Sequence, residues 1–198
     1  VLGKRADGLS PGAIRALGLS HVPEDRLSTG VSRRASVTDN LVAGRQRERQ
    51  FSGPVGLLRR RAARAYAKGL FETFDIRGAG VEVPAGSLSG GNLQKVVVAR
   101  EFSFDAKALI ISQPTRGVDI GAIEFIHRSI LAKRNAGCAV LLVSADLDEI
   151  FRLSDRILTL YEGRVTGGFA AGQITKEEIG YYMTGARSEA GGKEAGAR

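Results

Sequence analysis

The spacing of apolar and polar residues divides the chain into regions of different character. From Val1 to about Val37 the pattern is broken by Gly3, Gly8, Pro11, Gly12, Gly18, Pro23 and Gly30, which predicts short elements joined by loops. Ser10-Pro11 predicts a short helix running to Leu17, with serine as cap and proline in the first turn. Residues 37–74 read mainly as helix, interrupted at Ser52-Gly53-Pro54. In the later part Leu58, Ala62, Ala65, Leu70 and Phe74 recur near helical spacing. Gly78, Gly80, Pro84 and Gly86 then predict a loop as far as Ser87.

Ser89-Gly90-Gly91 predicts a helix start, with Ser89 as cap and Leu93, Val96, Val97 and Phe104 in an apolar stripe. Ala108–Ile111 is a short apolar run ended by Pro114 and predicts a buried strand. Next come a helix over 120–135 closed by Gly137, a second buried strand over 139–143, a short helix over 147–153 and a third strand over 156–161, with a turn at Glu162-Gly163. Alternation of strand and helix predicts an α/β fold with these three strands in one parallel sheet. The Gly-, Ala- and charge-rich stretch 186–198 predicts a disordered tail.

Composition narrows the function classes. A length of 198 residues with 43% hydrophobic residues suits one packed domain with a small lobe and excludes wholesale disorder. No apolar run approaches the ~18 residues of a transmembrane helix. One cysteine, Cys138, fits a reducing compartment, and with only His21 and His127 beside it a zinc site has few ligands to draw on. Both Cys138 and His127 read as structural. The net charge of +8 raises the question of nucleic acid, since Arg45, Arg47 and Arg49 and then Arg59, Arg60, Arg61 and Arg64 cluster. No aromatic residues interleave with them as a base-stacking platform requires. A solvated helix face is the simpler reading, and a surface near anionic lipid would carry the same pattern.

The stretch Leu88-Ser89-Gly90-Gly91-Asn92-Leu93-Gln94-Lys95 carries the most chemistry. Two glycines with bare backbone N–H groups, a hydroxyl and a helix N-terminus form either a plain cap or an anion site suited to phosphate. The downstream residues bear on the choice: a buried strand ending in Ser112-Gln113-Pro114-Thr115-Arg116-Gly117-Val118-Asp119, a crossover helix, and a strand ending in Ser144-Ala145-Asp146.

This order resembles the ATP-binding-cassette ATPases, with their signature motif, Walker B strand, D-loop and switch region. The finer resemblance is to the second nucleotide-binding domain of importers for simple sugars and nucleosides. It rests on Val22-Pro23-Glu24-Asp25-Arg26 with Gly30, Val37-Thr38-Asp39-Asn40-Leu41, the longer signature Leu88–Lys95, Gly163-Arg164-Val165 and Met183-Thr184-Gly185. Gln113-Pro114-Thr115-Arg116-Gly117 points to the nucleoside branch. The resemblance implies an incomplete P-loop-NTPase-like cassette in four parts: 1–37 from the core lobe, a helical signature subdomain over 38–95, a RecA-like core over 96–185, and the tail.

No G-x-x-x-x-G-K-[ST] occurs, so the chain, which starts at Val1, is expected to begin downstream of the Walker A loop, at a strand and turn over Val1-Leu2-Gly3. By the resemblance the Walker B aspartate that helps hold Mg²⁺ is Ser112, the glutamate that acts on water is Gln113, and the switch histidine is Ala145. An amide cannot accept a proton as a carboxylate does, and loss of a positioned base costs ~10²–10⁴ in rate. Either the site is degenerate for hydrolysis, or Asp119 or Asp146 supplies another base. The resemblance further implies that Ser89, Gly90, Gly91, Asn92 and Gln94 contact ATP, with Mg²⁺, in a partner site on the first cassette of the same full-length subunit. Pro23, Glu24, Asp25, Arg26 and Asp119 would meet partner surfaces, unless the first four form only a turn with an internal salt bridge. The implied partners are membrane permease subunits and, indirectly, a solute-binding protein, at the cytoplasmic face of the membrane and without nucleic acid. The alternative is a soluble ABC-type ATPase acting on nucleic acid or ribosomes.

Overall fold

A computed structural model describes residues 1–53 and 56–188. Pro54, in the expected helix break, and most of the expected tail lie outside those residues. The described chain divides into two units, Val1–Val143 and the part beginning at Ser144.

The first unit is built on a parallel sheet of order β1-β2-β3, formed by Leu19–Val22, Ala108–Ser112 and Ala139–Val143. Leu19 lies opposite Ala108, and Ala108 opposite Ala139. The glycine-broken pattern of the first 37 residues does not reveal β1, which is four residues long. Val1–Gly3 forms a turn without a strand. Helix α1, Pro11–Ala16, starts as expected, with the Ser10 hydroxyl accepting from the Ala13 N–H at 3.3 Å.

The region read as one broken helix is two helices. α2, Val37–Val42, is capped by Ser36, and α3 covers Arg60–Thr73. Between them the chain turns back on itself: Ser52 bridges Leu58 and the Arg59 N–H donates to the Phe51 carbonyl at 2.7 Å. The buried side of α3 carries Ala63 and Ala67 rather than Ala62 and Ala65. A stripe of alanines leaves its phase open by about one residue, because a methyl group signals burial weakly; Phe51 and Val42, packed on Ala63, fix it.

α4, Gly90–Phe102, is buried on nearly every side, lying against α2, α3, β1 and α5, the last spanning Ile120–Asn135. Its charged residues are therefore paired. Glu101, 1% exposed, accepts from Arg15 at 2.8 and 3.2 Å, from Arg100 Nε at 2.8 Å and from the His21 N–H at 3.4 Å. Lys95 Nζ donates to the Asp75 carboxylate at 3.0 Å and to its carbonyl at 2.7 Å. Phe104 lies past the end of α4, under the Arg15 guanidinium.

Strand β3 departs from expectation. Ala-Val-Leu-Leu-Val reads as buried on both faces, yet Ala139, Leu141 and Val143 are exposed. Cys138, just before it, is buried, and burial pushes its thiol pKa up, as suits a structural residue.

The second unit corrects the topology. Arg156–Tyr161, β4, does not join the parallel sheet; it pairs antiparallel with β5, Arg164–Ala170. The cause is local: Glu162 and Gly163 both have positive φ, 48° and 75°, and such a two-residue turn folds the following strand directly back. Helices α6, Leu147–Leu153, and α7, Lys176–Met183, pack a core of Ile157, Ile174 and Ile179 with Ile150, Phe151 and Phe169. α7 opens with a reciprocal cap between Thr175 and Glu178.

Candidate functional site

The glycine pair sits at the start of α4, a 13-residue helix whose first N–H groups have no partner within the helix. Ser89 holds extended backbone angles, φ −64° and ψ 160°, as an N-cap must. Its Oγ accepts from the Asn92 N–H at 3.4 Å and from Asn92 Nδ2 at 2.9 Å. A hydroxyl with both lone pairs engaged keeps its O–H free to donate. Asn92 is fixed in turn, since its Oδ1 accepts from the Arg77 N–H at 2.7 Å. Gly90 and Gly91 then add bare backbone, giving a compact set of donors for an anion. Gln94, expected to reach the nucleotide, is 2% exposed and points into the helical packing instead. At helix spacing, five residues after Ser89, it falls on the inner face of a helix buried all round.

The element Pro23-Glu24-Asp25-Arg26 lies directly behind this turn. The Asp25 carboxylate accepts from the Ser28 hydroxyl at 2.7 Å and from the N–H groups of Leu27 and Ser28, starting a single π-helical turn, Arg26–Gly30. The Ser28 hydroxyl, followed by those N–H groups, holds its carboxyl below the usual range. Arg26 reaches the loop after β2, donating to the Arg116 carbonyl at 2.6 Å and the Gly117 carbonyl at 3.1 Å, while Arg116 pairs with Glu24 at 2.5 Å. A Cβ on Gly90 would stand 3.0 Å from Arg26 Nη2, and one on Gly91 2.7 Å from Asp119 Oδ2. Asp119 Oδ1 caps α5 through the Ala122 N–H at 2.9 Å. Close approach therefore bears hardest on Gly91 and less on Gly90, and Ser89, Gly90, Gly91, Arg26 and Asp119 form one contiguous cluster. Little in the sequence points to the Arg26–Arg116–Gly117 link. Its acceptors are carbonyls about ninety residues away, and only the positive φ of Gly117 marks a special loop.

At the end of β2, Gln113 has φ 48°, and its N–H donates to the Val143 carbonyl at 2.8 Å. Ser112 and Gln113 offer a hydroxyl and an amide there. That donor set does not fit Mg²⁺, which binds through carboxylates and phosphates. No group of three or more His, Cys, Asp or Glu side chains among the described residues is placed to hold a metal. Ala145 and Asp146 belong to the second unit, where Asp146 caps α6 through the N–H groups of Asp148 and Glu149.

Comparison with known proteins bears on what these parts belong to. The chain is 42% identical over 178 residues to "Nucleoside import ATP-binding protein NupA" of Lactococcus lactis subsp. cremoris, covering 88% of this chain and 34% of that protein. It is 45% identical over 185 residues to "Glucose import ATP-binding protein TsgD13" of Haloferax volcanii, covering 92% of this chain and 34% of the relative. The chain belongs to the family of ABC importer ATP-binding proteins. It spans about a third of the length of the curated relatives it matches. No family model matches the chain. Among solved structures, an ATP-binding cassette dimer in a post-hydrolysis state bound to ADP and Pi superposes with a TM-score of 0.70 at 16% identity, covering 88% of this chain and 73% of that one. A nucleotide-free cassette from an ABC transporter gives 0.67 at 18% identity, covering 91% and 70%. These likenesses establish the cassette fold. No helix among the described residues of this cassette is long and apolar enough to cross a membrane.

Proposed function

We propose that this chain is the second nucleotide-binding cassette of a bacterial importer subunit for simple sugars or nucleosides, and that it lends Ser89, Gly90 and Gly91 to an ATP held, with Mg²⁺, by the first cassette of the same full-length subunit. The observation that carries the reading is the state of the α4 turn. Ser89 is preset as a donor by Asn92, and both glycines are closely backed by Arg26 and Asp119. Such prearranged donors stabilise developing phosphate charge at no reorganisation cost. The cassette's own site turns nucleotide over poorly, because Ser112 and Gln113 supply neither a metal-holding carboxylate nor a base. Asp119 and Asp146 each use one carboxylate oxygen to cap a helix, which supports an anchoring rather than a catalytic role for them.

Relatives named for nucleoside, glucose and ribose import match at overlapping identities of 36–45%, so the nucleoside branch rests on the loop Gln113–Gly117 alone. Membrane subunits on the cytoplasmic face would meet the cleft of about 470 Å³ beside the Arg26–Gly30 turn, lined by Ser28–Ser32, Asp39, Asn40 and Arg100. The test uses the full-length subunit assembled with its membrane partners. Ser89→Arg is expected to abolish transport-coupled ATP hydrolysis, while Gln113→Ala changes it less than about twofold, given that no base is lost there. Equal losses from both substitutions would overturn the asymmetric assignment.

A further inference from the structure

The excess charge of this protein is concentrated in one place. Residues 44–71 hold eight basic side chains and one acidic, while the rest of the chain holds 21 basic and 20 acidic. The fold brings the two halves of the segment together. The bridge between Ser52 and Leu58, with the Arg59 to Phe51 hydrogen bond, doubles the chain back so that the Arg47–Arg49 stretch approaches the start of α3. Along α3, Arg60, Arg64 and Lys68 recur every fourth residue and are exposed, with Arg61 further round from buried Ala63 and Ala67, and acidic Glu72 ends the series.

Two of the eight cations are committed within the fold. Arg45 binds Glu48, the Tyr66 hydroxyl and Ser103, and Arg64 pairs with Glu82 at 2.6 Å. Arg47, Arg49, Arg59, Arg60, Arg61 and Lys68 are exposed and lie outside every close ion pair among the described residues, although Arg60 also acts on Glu82 through space. Three of them open α3, where the helix presents its positive end, with no capping side chain and no acidic residue in the first turn. That placement costs stability unless an anion lies against it. Leu57, 71% exposed, projects from the turn just before them.

We propose that this face docks on an anionic phospholipid surface, its arginines and lysine on the headgroup phosphates and Leu57 in the boundary with the acyl chains. A basic cluster beside an exposed aliphatic residue matches an interfacial lipid contact. A single-stranded nucleic acid would need exposed stacking faces, whereas Phe51 is 1% exposed and Tyr66 is packed against Phe51 and Arg45. The surface stands on charge and exposure alone, independent of the importer reading.

Binding of the full-length protein to vesicles tests it, in the absence of nucleotide. Mixed phosphatidylglycerol–phosphatidylcholine vesicles should bind and pure phosphatidylcholine vesicles should not. Combined Arg59→Gln, Arg60→Gln and Arg61→Gln is expected to weaken binding about a hundredfold, at about a factor of five per arginine near the surface. The same three changed to Lys should retain it. Leu57→Ser should weaken binding severalfold without altering its salt dependence. Removing three cations elsewhere, by Lys4→Gln, Arg5→Gln and Arg128→Gln, should leave it unchanged and shows that net charge alone is not responsible. Equal binding to both vesicle types, indifference to the three Gln substitutions, or tighter binding to a DNA duplex than to the mixed vesicles at one ionic strength would each overturn the proposal.

Discussion

Gly91 has the least room in the candidate site. A methyl group there would meet Asp119 Oδ2 at 2.7 Å, and that carboxylate cannot retreat without giving up its bond to the Ala122 N–H. At Gly90 the obstacle is Arg26 Nη2 at 3.0 Å, the far end of a long side chain that can yield. Gly91→Ala is therefore expected to cost about 1 kcal/mol more than Gly90→Ala in urea denaturation, the worth of a lost helix cap. The reverse order would mean that Arg26 is held more rigidly than Asp119. The cap, the glycine pair and the hydroxyl are legible in the sequence because their chemistry is local. The carbonyls that hold Arg26 are not, since every residue has one and only the fold selects Arg116 and Gly117.

Elements are legible where their signals are strong and ambiguous where the choice depends on partners. α4, β2, α5 and β3 follow the apolar runs and caps closely. β4 is recognisable as a strand, but its pattern of Ile157 and Thr159 inside and Leu158 and Leu160 outside says nothing of the neighbour's direction. The positive φ of Glu162 and Gly163 makes that neighbour β5. α4 poses the opposite problem, a helix with no polar face whose charges must be satisfied indoors. Glu101 balances Arg15 and Arg100 together, so removing it strands two cations. Glu101→Ala is expected to destabilise the first unit by about 3 kcal/mol, and Glu101→Gln by less, since it keeps one acceptor oxygen. Thermal unfolding of both variants checks the order. A loss below about 1 kcal/mol would mean the arginines find other acceptors.

At the scale of the molecule, Asp75, Glu82, Glu48 and Glu178 are shifted in the same direction. Lys95, followed by Arg77, holds Asp75 below the usual carboxylate range, and Arg64, followed by the Thr38 hydroxyl, does the same for Glu82. For Glu48, burial pushes upward, but the hydrogen bonds from Arg45 and Gln50 outweigh it. Glu178 is lowered by the backbone N–H of Thr175 and then by its hydroxyl. Each folded value lies below its unfolded one, so each contribution is complete above the unfolded pKa of about 4 and disappears as pH falls through the folded value. Urea midpoints should therefore stay level from about pH 8 to 5 and fall below about 4. Asp75→Asn should make the acid fall shallower. A midpoint already declining between pH 7 and 5 would overturn this account.

β3 also bears on how the protein behaves in solution. It closes one side of the three-strand sheet, with Leu141 and Val143 56% and 50% exposed on its uncovered face. A strand with unused backbone donors on one edge and greasy side chains on one face is a template for further strands. Among the described residues that edge and face carry no covering element, so a further strand laid beside β3 would find both backbone partners and an apolar surface to bury.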